Sequence, residues 1–264
     1  MARKKTRALT VKVENNLIEA EWKFFTLNQK KIFWYISARM QELGYTLDSF
    51  RAKEVLMPEK TQVLDLETGE LTEEETSKCF TMKLDTRKLF LDKRDALEAL
   101  YKLQETRLIY KDEKKTVSVS AIPQVSQDNS NPHLITISMY AELFRFLLEL
   151  QKYTTMQLNK IMDLNSKYSL RMYEKLNQVK NQNWPEFKLI RIDEANRFFD
   201  TKYKRLKDIE RYILKPAKKE LDEKSYISFE YLPIYDTNSK KKGRKPLIGY
   251  KFFVKKNTPQ PTLF

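Results

Sequence analysis

Apolar residues along this chain fall in short stretches whose spacing switches between that of helices and that of strands. From residue 26 to 43 they stand at Leu27, Ile32, Phe33, Tyr35, Ile36, Met40 and Leu43 and stop at Gly44, which predicts a helix closed by glycine. Residues 79–84 read as a short strand. Asp85 then predicts the cap of a helix through Phe90, and Asp92 the cap of a second helix over 93–103, with Leu97, Leu100 and Leu103 inward. Strand patterns at 107–111 and 116–122, separated by the charged turn 112–115, predict a hairpin. Two helices joined by a tight turn and followed by a hairpin are the outline of a winged helix.

The same order returns further on. Helix spacing over 166–180 carries Leu170, Tyr173, Leu176 and Val179; residues 187–191 read as a strand; Asp193 caps a helix to Phe199; a longer helix spans 203–221. Strands at 226–231 and 247–254 flank a loop over 236–245. The expected fold class is therefore α+β, two tandem winged-helix domains, although the repeat is one of architecture and not of sequence.

The segments between are less regular. Residues 15–23 read as an amphipathic lead-in. Residues 45–77 form an irregular insertion with Pro58, a possible hairpin through Leu64 to Leu71, and the acidic run Glu73, Glu74, Glu75. Residues 124–133, rich in Ser, Asn, Asp and Pro, read as a linker and set the seam, followed by a short strand at 134–137 and an apolar helix over 139–150. The expected domains are 1–132, carrying the insertion near 45–77, then 133–256, and a flexible tail over 257–264.

Charge sharpens this division. Residues 151–264 hold 26 Lys and Arg against 13 Asp and Glu, whereas residues 1–150 hold 24 against 23, so nearly all of the net charge of +14 lies in the second part. A basic surface confined to one domain suits a polyanion, with a solvated charged face as the plain alternative. One cysteine, Cys79, and one histidine, His133, exclude a disulfide framework and a zinc finger, and fit a reducing, cytoplasmic setting. The N-terminus holds no signal-like apolar stretch, and no membrane span is expected. None of the four glycines stands in a phosphate-cradling loop, so no nucleotide cofactor is expected, and a single histidine cannot make the paired-histidine metal site of a rolling-circle nickase. His133 reads as a loop residue, and no catalytic residue, cofactor or metal is assigned.

The helix over 203–221 is the most legible element. Its apolar residues Leu206, Ile209, Ile213, Ala217 and Leu221 and its cations Lys204, Lys207, Arg211, Lys215 and Lys218 form two stripes about 140° apart at the helical period. A solvated helix commonly pairs acid with base four residues apart, and here Asp208 and Glu210 lie off the cationic stripe. The reading is a DNA-recognition helix. Arg205 and Arg211 are the candidates for base contacts, because a guanidinium can grip guanine at two points, and the lysines for phosphates. Pro216 is expected to kink the helix or end its regular part. The wing carries Lys240, Lys241, Lys242, Arg244 and Lys245 around Gly243, suited to phosphates or a minor groove, with a solvated loop as the alternative. In the first domain, Lys93 and Arg94 open the corresponding helix.

Several separated motifs then occur in order: Asn16-Leu-Ile-Glu-Ala20 with Thr26-Leu-Asn28, Ser166-Lys-Tyr-Ser-Leu-Arg-Met-Tyr-Glu-Lys-Leu176, Tyr203, Leu214-Lys-Pro-Ala217, Gly243-Arg-Lys245 and Tyr250-Lys-Phe-Phe-Val254. Together they resemble the iteron-binding replication initiators of bacterial plasmids over residues 15–255, with no counterpart for the insertion at 45–77. The resemblance implies tandem winged helices on direct repeats of double-stranded origin DNA. It also implies a monomer that opens the origin, in equilibrium with a homodimer joined through the front domain that represses its own gene, and contacts with host helicase or initiator. The last residues, Gln260-Pro-Thr-Leu-Phe264, resemble the pentapeptide by which bacterial replication proteins dock on the sliding clamp, with Pro261 in place of the usual leucine. Physically the tail offers Gln260, Leu263 and Phe264 on an extended, prolyl segment, and an inert tail is the alternative. The function expected is a non-enzymatic, sequence-specific replication initiator; a winged-helix repressor without a replication role and a DNA-nicking enzyme are the rivals.

Overall fold

The computed structural model describes residues 10–14, 26–45, 59–64, 71–76, 79–89, 91–111, 116–120, 122–140, 153–238 and 245–257. Its contacts divide the chain into two units, residues 28–151 and residues 1–27 with 152–264. Strand β1 (Thr10–Glu14) opens the chain and belongs with the second of these.

In the unit 28–151, helix α1 (Leu27–Glu42) is buried on nearly every side, with Ile32, Phe33, Trp34, Ile36 and Ala38 inside. It ends as expected. Gly44 takes φ 78°, its N–H donates to the Gln41 carbonyl at 3.1 Å and that of Tyr45 to the Met40 carbonyl at 2.9 Å, the paired bonds of a glycine-closed helix end. The hairpin in the insertion is present as β2 (Glu59–Leu64) and β3 (Leu71–Thr76), with Leu64 opposite Leu71. Strand β4 (Cys79–Asp85) follows. The helix expected after Asp85 is a single 3₁₀ turn, Thr86–Lys88, whose Arg87 N–H donates to the Asp85 carboxylate at 3.0 Å. Helix α2 (Lys93–Glu105) buries Ala96, Ala99, Leu100 and Leu103, and Asp92 sits at its cap position without a side-chain bond. Strands β5 (Arg107–Lys111) and β6 (Thr116–Ser120) make the expected hairpin.

The polar stretch 124–133 is not a linker. Its first residues are strand β7 (Gln124–Gln127), paired with β8 (Leu134–Tyr140), which pairs in turn with β4. Asp128 turns the chain, accepting from the N–H of Ser130 at 2.8 Å. The seam expected at 132/133 therefore runs through a hairpin turn, and the units part at 151/152. His133 lies in that turn, its Nδ1 3.2 Å from the Thr86 hydroxyl, a loop residue as read. The lead-in at 15–23 and most of the helix expected over 139–150 lie outside the described residues; Met139 itself is the buried end of β8.

The second unit begins with β1 paired antiparallel to β9 (Tyr153–Gln157), Val11 opposite Met156 and both fully buried. Helices α3 (Leu158–Asp163) and α4 (Lys167–Val179) follow; Ser166 caps α4, accepting from the Tyr168 N–H at 3.2 Å. Strand β10 (Glu186–Ile190) leads into α5 (Ile192–Phe199). Then α6 (Leu206–Ile209), a π turn (Glu210–Leu214) and α7 (Lys215–Lys224) run on as one continuous helix. Strands β11 (Ile227–Tyr235) and β12 (Leu247–Lys256) complete a sheet of order β10-β12-β11. The core lies between α4, the long helix and this sheet: Leu170, Tyr173, Leu176, Ile209, Ile213, Ala217, Leu221, Phe229 and Phe252 are all buried. Gly249 sits where β12 crosses β10; a Cβ there would stand 2.4 Å from the Leu189 carbonyl oxygen.

Candidate nucleic-acid interface

The turn between α5 and the long helix is set by one amide. Helix α5 stops at Asp200, which takes a left-handed φ of 51°, and the Thr201 N–H reaches the Asn196 carbonyl at 2.9 Å. The Asn196 side chain then meets the next stretch of backbone twice: its Nδ2 donates to the Tyr203 carbonyl at 2.8 Å and its Oδ1 accepts from the Tyr203 N–H at 3.0 Å. The Thr201 hydroxyl donates to the same Oδ1 at 2.8 Å. Such a clamp fixes the angle at which the long helix leaves the turn. At the other end of α5 the cap position is held by Arg191 and not Asp193, without a side-chain cap bond, and Glu194 reaches back to accept from the Ile190 N–H at 2.6 Å. Arg171 of α4 donates to the Phe198 carbonyl at 3.1 Å and lies 4.7 Å from that ring, tying α5 to the core.

The long helix runs from Leu206 to Lys224 and not from 203, so Lys204 stands just before it and Arg205 is its N-cap residue. Its apolar stripe is buried as read, and Lys204, Arg205, Lys207, Arg211 and Lys215 are exposed. Lys204, Lys207 and Arg211 form no ion pair among the described residues. The other three expected contact residues differ. Arg205, 77% exposed at its side chain, is held by Asp208 through two bonds of 2.9 Å, Nε to one oxygen and Nη2 to the other, which keep the Asp208 carboxyl below its ordinary range. Lys215 is exposed with Glu210 at 3.7 Å. Lys218 is not part of the free stripe: its side chain is 22% exposed and its Nζ meets Asp222 at 2.8 Å and Glu230 of β11 at 3.0 Å. Of the cations read over 204–218, Lys204, Lys207 and Arg211 are thus exposed without an ion pair among the described residues, Arg205 and Lys215 are exposed beside an acid, and Lys218 is neutralised.

Pro216 does not end the helix. Proline lacks an N–H, and in a regular α-helix its ring presses on the carbonyl four residues back; the π turn directly before it widens the backbone there, with the Lys215 N–H reaching the Glu210 carbonyl. The same turn carries Glu210 inward. Its carboxylate accepts from the hydroxyl of Tyr250 at 2.9 Å and of Tyr231 at 3.3 Å, joining the helix to β12 and β11. Burial first, then the Glu210 carboxylate, push both phenols up, Tyr231 to about 12 and Tyr250 further. Outward, the turn presents Tyr212, 52% exposed, its ring nearly parallel to that of Tyr203 with centroids 6.0 Å apart and the Arg211 guanidinium 5.3 Å from its centroid.

Beside the start of the helix lies a shallow depression of about 500 Å³ lined by Arg191, Asp193, Lys204, Arg205, Lys207 and Leu247. Arg191 adopts φ 71°, rare for a residue with a side chain, and its N–H donates to the Ile248 carbonyl at 2.7 Å. The base of the wing is closed by the Asp236 N–H on the Pro246 carbonyl at 2.9 Å, and Lys245 is exposed there. Lys240, Lys241, Lys242 and Arg244 fall outside the described residues, as do Gln260, Leu263 and Phe264. In the other unit, Arg94 is exposed and Lys93 half-buried at the start of α2, where Asp95 shares the first turn. Among the described residues no group of His, Cys, Asp and Glu could hold a metal ion, and no helix is long and apolar enough to cross a membrane.

Sequence reasoning missed Asn196, Glu210 and Tyr212. Asn196 sits just before a helix end, where an amide that bonds to backbone is a recurrent signal, whereas the strand partners of Glu210 lie too far along the chain to be read.

Residues 10–177 match the family described as initiator replication protein, WH1, and residues 191–254 match initiator Rep protein, WH2. No curated protein shows a significant sequence match. Among solved structures, the crystal structure of the Pi initiator protein in complex with iteron DNA is similar at a TM-score of 0.65 and 14% identity, over 94% of this chain and 97% of that one. The fold is that of two winged-helix domains.

Proposed function

The chain belongs to the family of initiator replication proteins, and on that premise we propose that it starts plasmid replication by binding direct repeats, or iterons, in double-stranded origin DNA. The observation that carries this reading is the row of exposed cations Lys204, Lys207, Arg211 and Lys215 at the start and along the outer side of the long helix, set on a helix-turn-helix whose turn is clamped by Asn196. An α-helix fits the major groove, where Arg211 can contact base edges, while Lys204, Lys207 and Lys215 meet phosphates. The likeness to the Pi initiator bound to iteron DNA supports the choice of repeats as the target. The protein acts by binding and not by bond chemistry, in the cytoplasm, with no cofactor.

The finer parts of the proposal are these. Wing residues Lys240, Lys241, Lys242, Arg244 and Lys245 add phosphate contacts, and Lys93 and Arg94 serve the first domain. A homodimer in equilibrium with monomer represses the protein's own gene, and Gln260, Leu263 and Phe264 dock on the sliding clamp. A pull-down comparing the full chain with one lacking 257–264 tests the clamp contact: equal clamp retention removes it.

The main test is a nuclease footprint on the DNA flanking the protein's own gene, at physiological salt with competitor DNA. Regularly spaced protection over direct repeats is expected. Protection of only an inverted repeat at the promoter, with no origin-dependent replication in cells supplied with the protein, would establish the repressor instead. Metal-dependent relaxation of a supercoiled plasmid would establish a nickase.

A further inference from the structure

Tyr212 is out of character on the surface where it stands. It follows Arg211 on the exposed side of a helix that also presents Lys207 and Lys215, with Lys204 just before its start, and roughly half of its surface meets solvent. Its hydroxyl can donate to a phosphate as a lysine does, but its ring brings apolar surface that the cations beside it lack. The ring is nonetheless held in place. Tyr203 stacks on it with planes 13° apart, and the Arg211 guanidinium lies 5.3 Å from its centroid. Tyr203 is in turn fixed at its backbone by Asn196. Rigid placement of an aromatic on a cationic helix lowers the ordering cost of any contact it makes.

We infer that Tyr212 is a specificity-determining residue that packs against the C5-methyl group of one thymine in the repeat, beside the base gripped by Arg211. The inference rests on the reading of the long helix as the DNA-recognition helix. In the major groove the thymine methyl is the one apolar group a base pair displays, so an apolar ring edge beside a guanidinium matches a thymine next to a guanine. Stacking on a splayed base is the less suitable use, since the ring already has Tyr203 and Arg211 as partners.

The test removes one methyl at a time. Duplexes carrying the footprinted repeat are made with each thymine in turn replaced by deoxyuracil, and affinity is measured by fluorescence anisotropy for the natural protein, Tyr212→Phe and Tyr212→Ala. At one thymine, loss of the methyl weakens the natural protein and Tyr212→Phe about fourfold, the worth of burying one methyl. Tyr212→Ala is indifferent at that position and keeps the natural response at the others. An unchanged deoxyuracil profile in Tyr212→Ala overturns the assignment. So does a loss of single-strand affinity equal to the loss on duplex, which would make the ring a stacking platform. Because Tyr212→Phe keeps the ring, it separates the contact from any effect on folding. A footprint without protected repeats refutes the proposed function itself; protected repeats with an unchanged profile refute only the role of Tyr212.

Discussion

Replacing Asn196 by alanine removes three hydrogen bonds at once, to the Tyr203 carbonyl, the Tyr203 N–H and the Thr201 hydroxyl, at 2.8, 3.0 and 2.8 Å. All three are partly buried, and a neutral bond of this kind contributes about 1 kcal/mol net, so the expected loss is about 2 to 3 kcal/mol. The backbone bond from Thr201 to the Asn196 carbonyl survives, so α5 still ends where it does. For a cooperative unit of this size each kcal/mol lowers Tm by roughly 2 to 4 °C, which predicts a fall of about 4 to 12 °C in the transition of the second unit by calorimetry. The clamp also sets the exit of the long helix, so affinity for a specific repeat should fall well below the transition, at a temperature where the variant is fully folded. A stability loss under about 0.5 kcal/mol would mean that water replaces the amide at no cost. Lost stability with unchanged affinity would mean that the exit angle is fixed by core packing and not by Asn196.

Gly249→Ala forces a methyl group to within 2.4 Å of the Leu189 carbonyl, so β12 must move off β10; about 1 to 3 kcal/mol of lost stability is expected in urea denaturation. The phenols of Tyr231 and Tyr250 are raised in the folded state, whereas the unfolded chain ionises them near pH 10. Their contribution is therefore complete below about pH 10 and is lost above it, that of Tyr231 as pH rises through about 12 and that of Tyr250 higher still, and Glu210→Gln should bring Tyr231 back toward 10 in a tyrosinate absorbance titration. Lys218→Ala should leave the salt dependence of DNA binding unchanged while Lys207→Ala makes it shallower, because Lys218 is already paired with Asp222 and Glu230; equal effects on the two salt slopes would contradict this division. Arg211→Ala should cost about 1 to 3 kcal/mol on the specific repeat and relax base preference at one position, and equal losses on specific and random DNA would remove its base contact.

Much of this architecture is local enough to be read along the chain. The helix ending at Gly44, the helix beginning near Ser166, the hairpin opposing Leu64 to Leu71 and the buried stripe of the long helix each follow from periodicity and end signals close along the chain. What escaped reading is a strand with no apolar alternation, or partners far away. Gln124–Gln127 is a polar edge strand whose composition hides its pairing with the nearby β8, and β1 finds β9 only after the whole first unit has intervened. Lys218 looks like its neighbours in a helical projection; Glu230, on a strand made later, takes its charge out of play. Pro216 signals a kink or the end of the regular helix, and the regular α turns do give way just before it to one wide turn, after which the chain stays helical with Ile213, Ala217 and Leu221 buried.

The ladder of β1 and β9 gives the chain the topology of an insertion. Glu14 stands opposite Tyr153, so the entire unit 28–151 leaves and returns at one end of a two-stranded ribbon that belongs to the other unit. Cutting the chain at the apparent border would leave β9 with a bare edge and Met156 stripped of Val11, an invitation to pair with another molecule. Closing the gap between Glu14 and Tyr153 with a short turn would instead excise the first unit and keep the ribbon whole. The second unit is continuous in space but not in sequence.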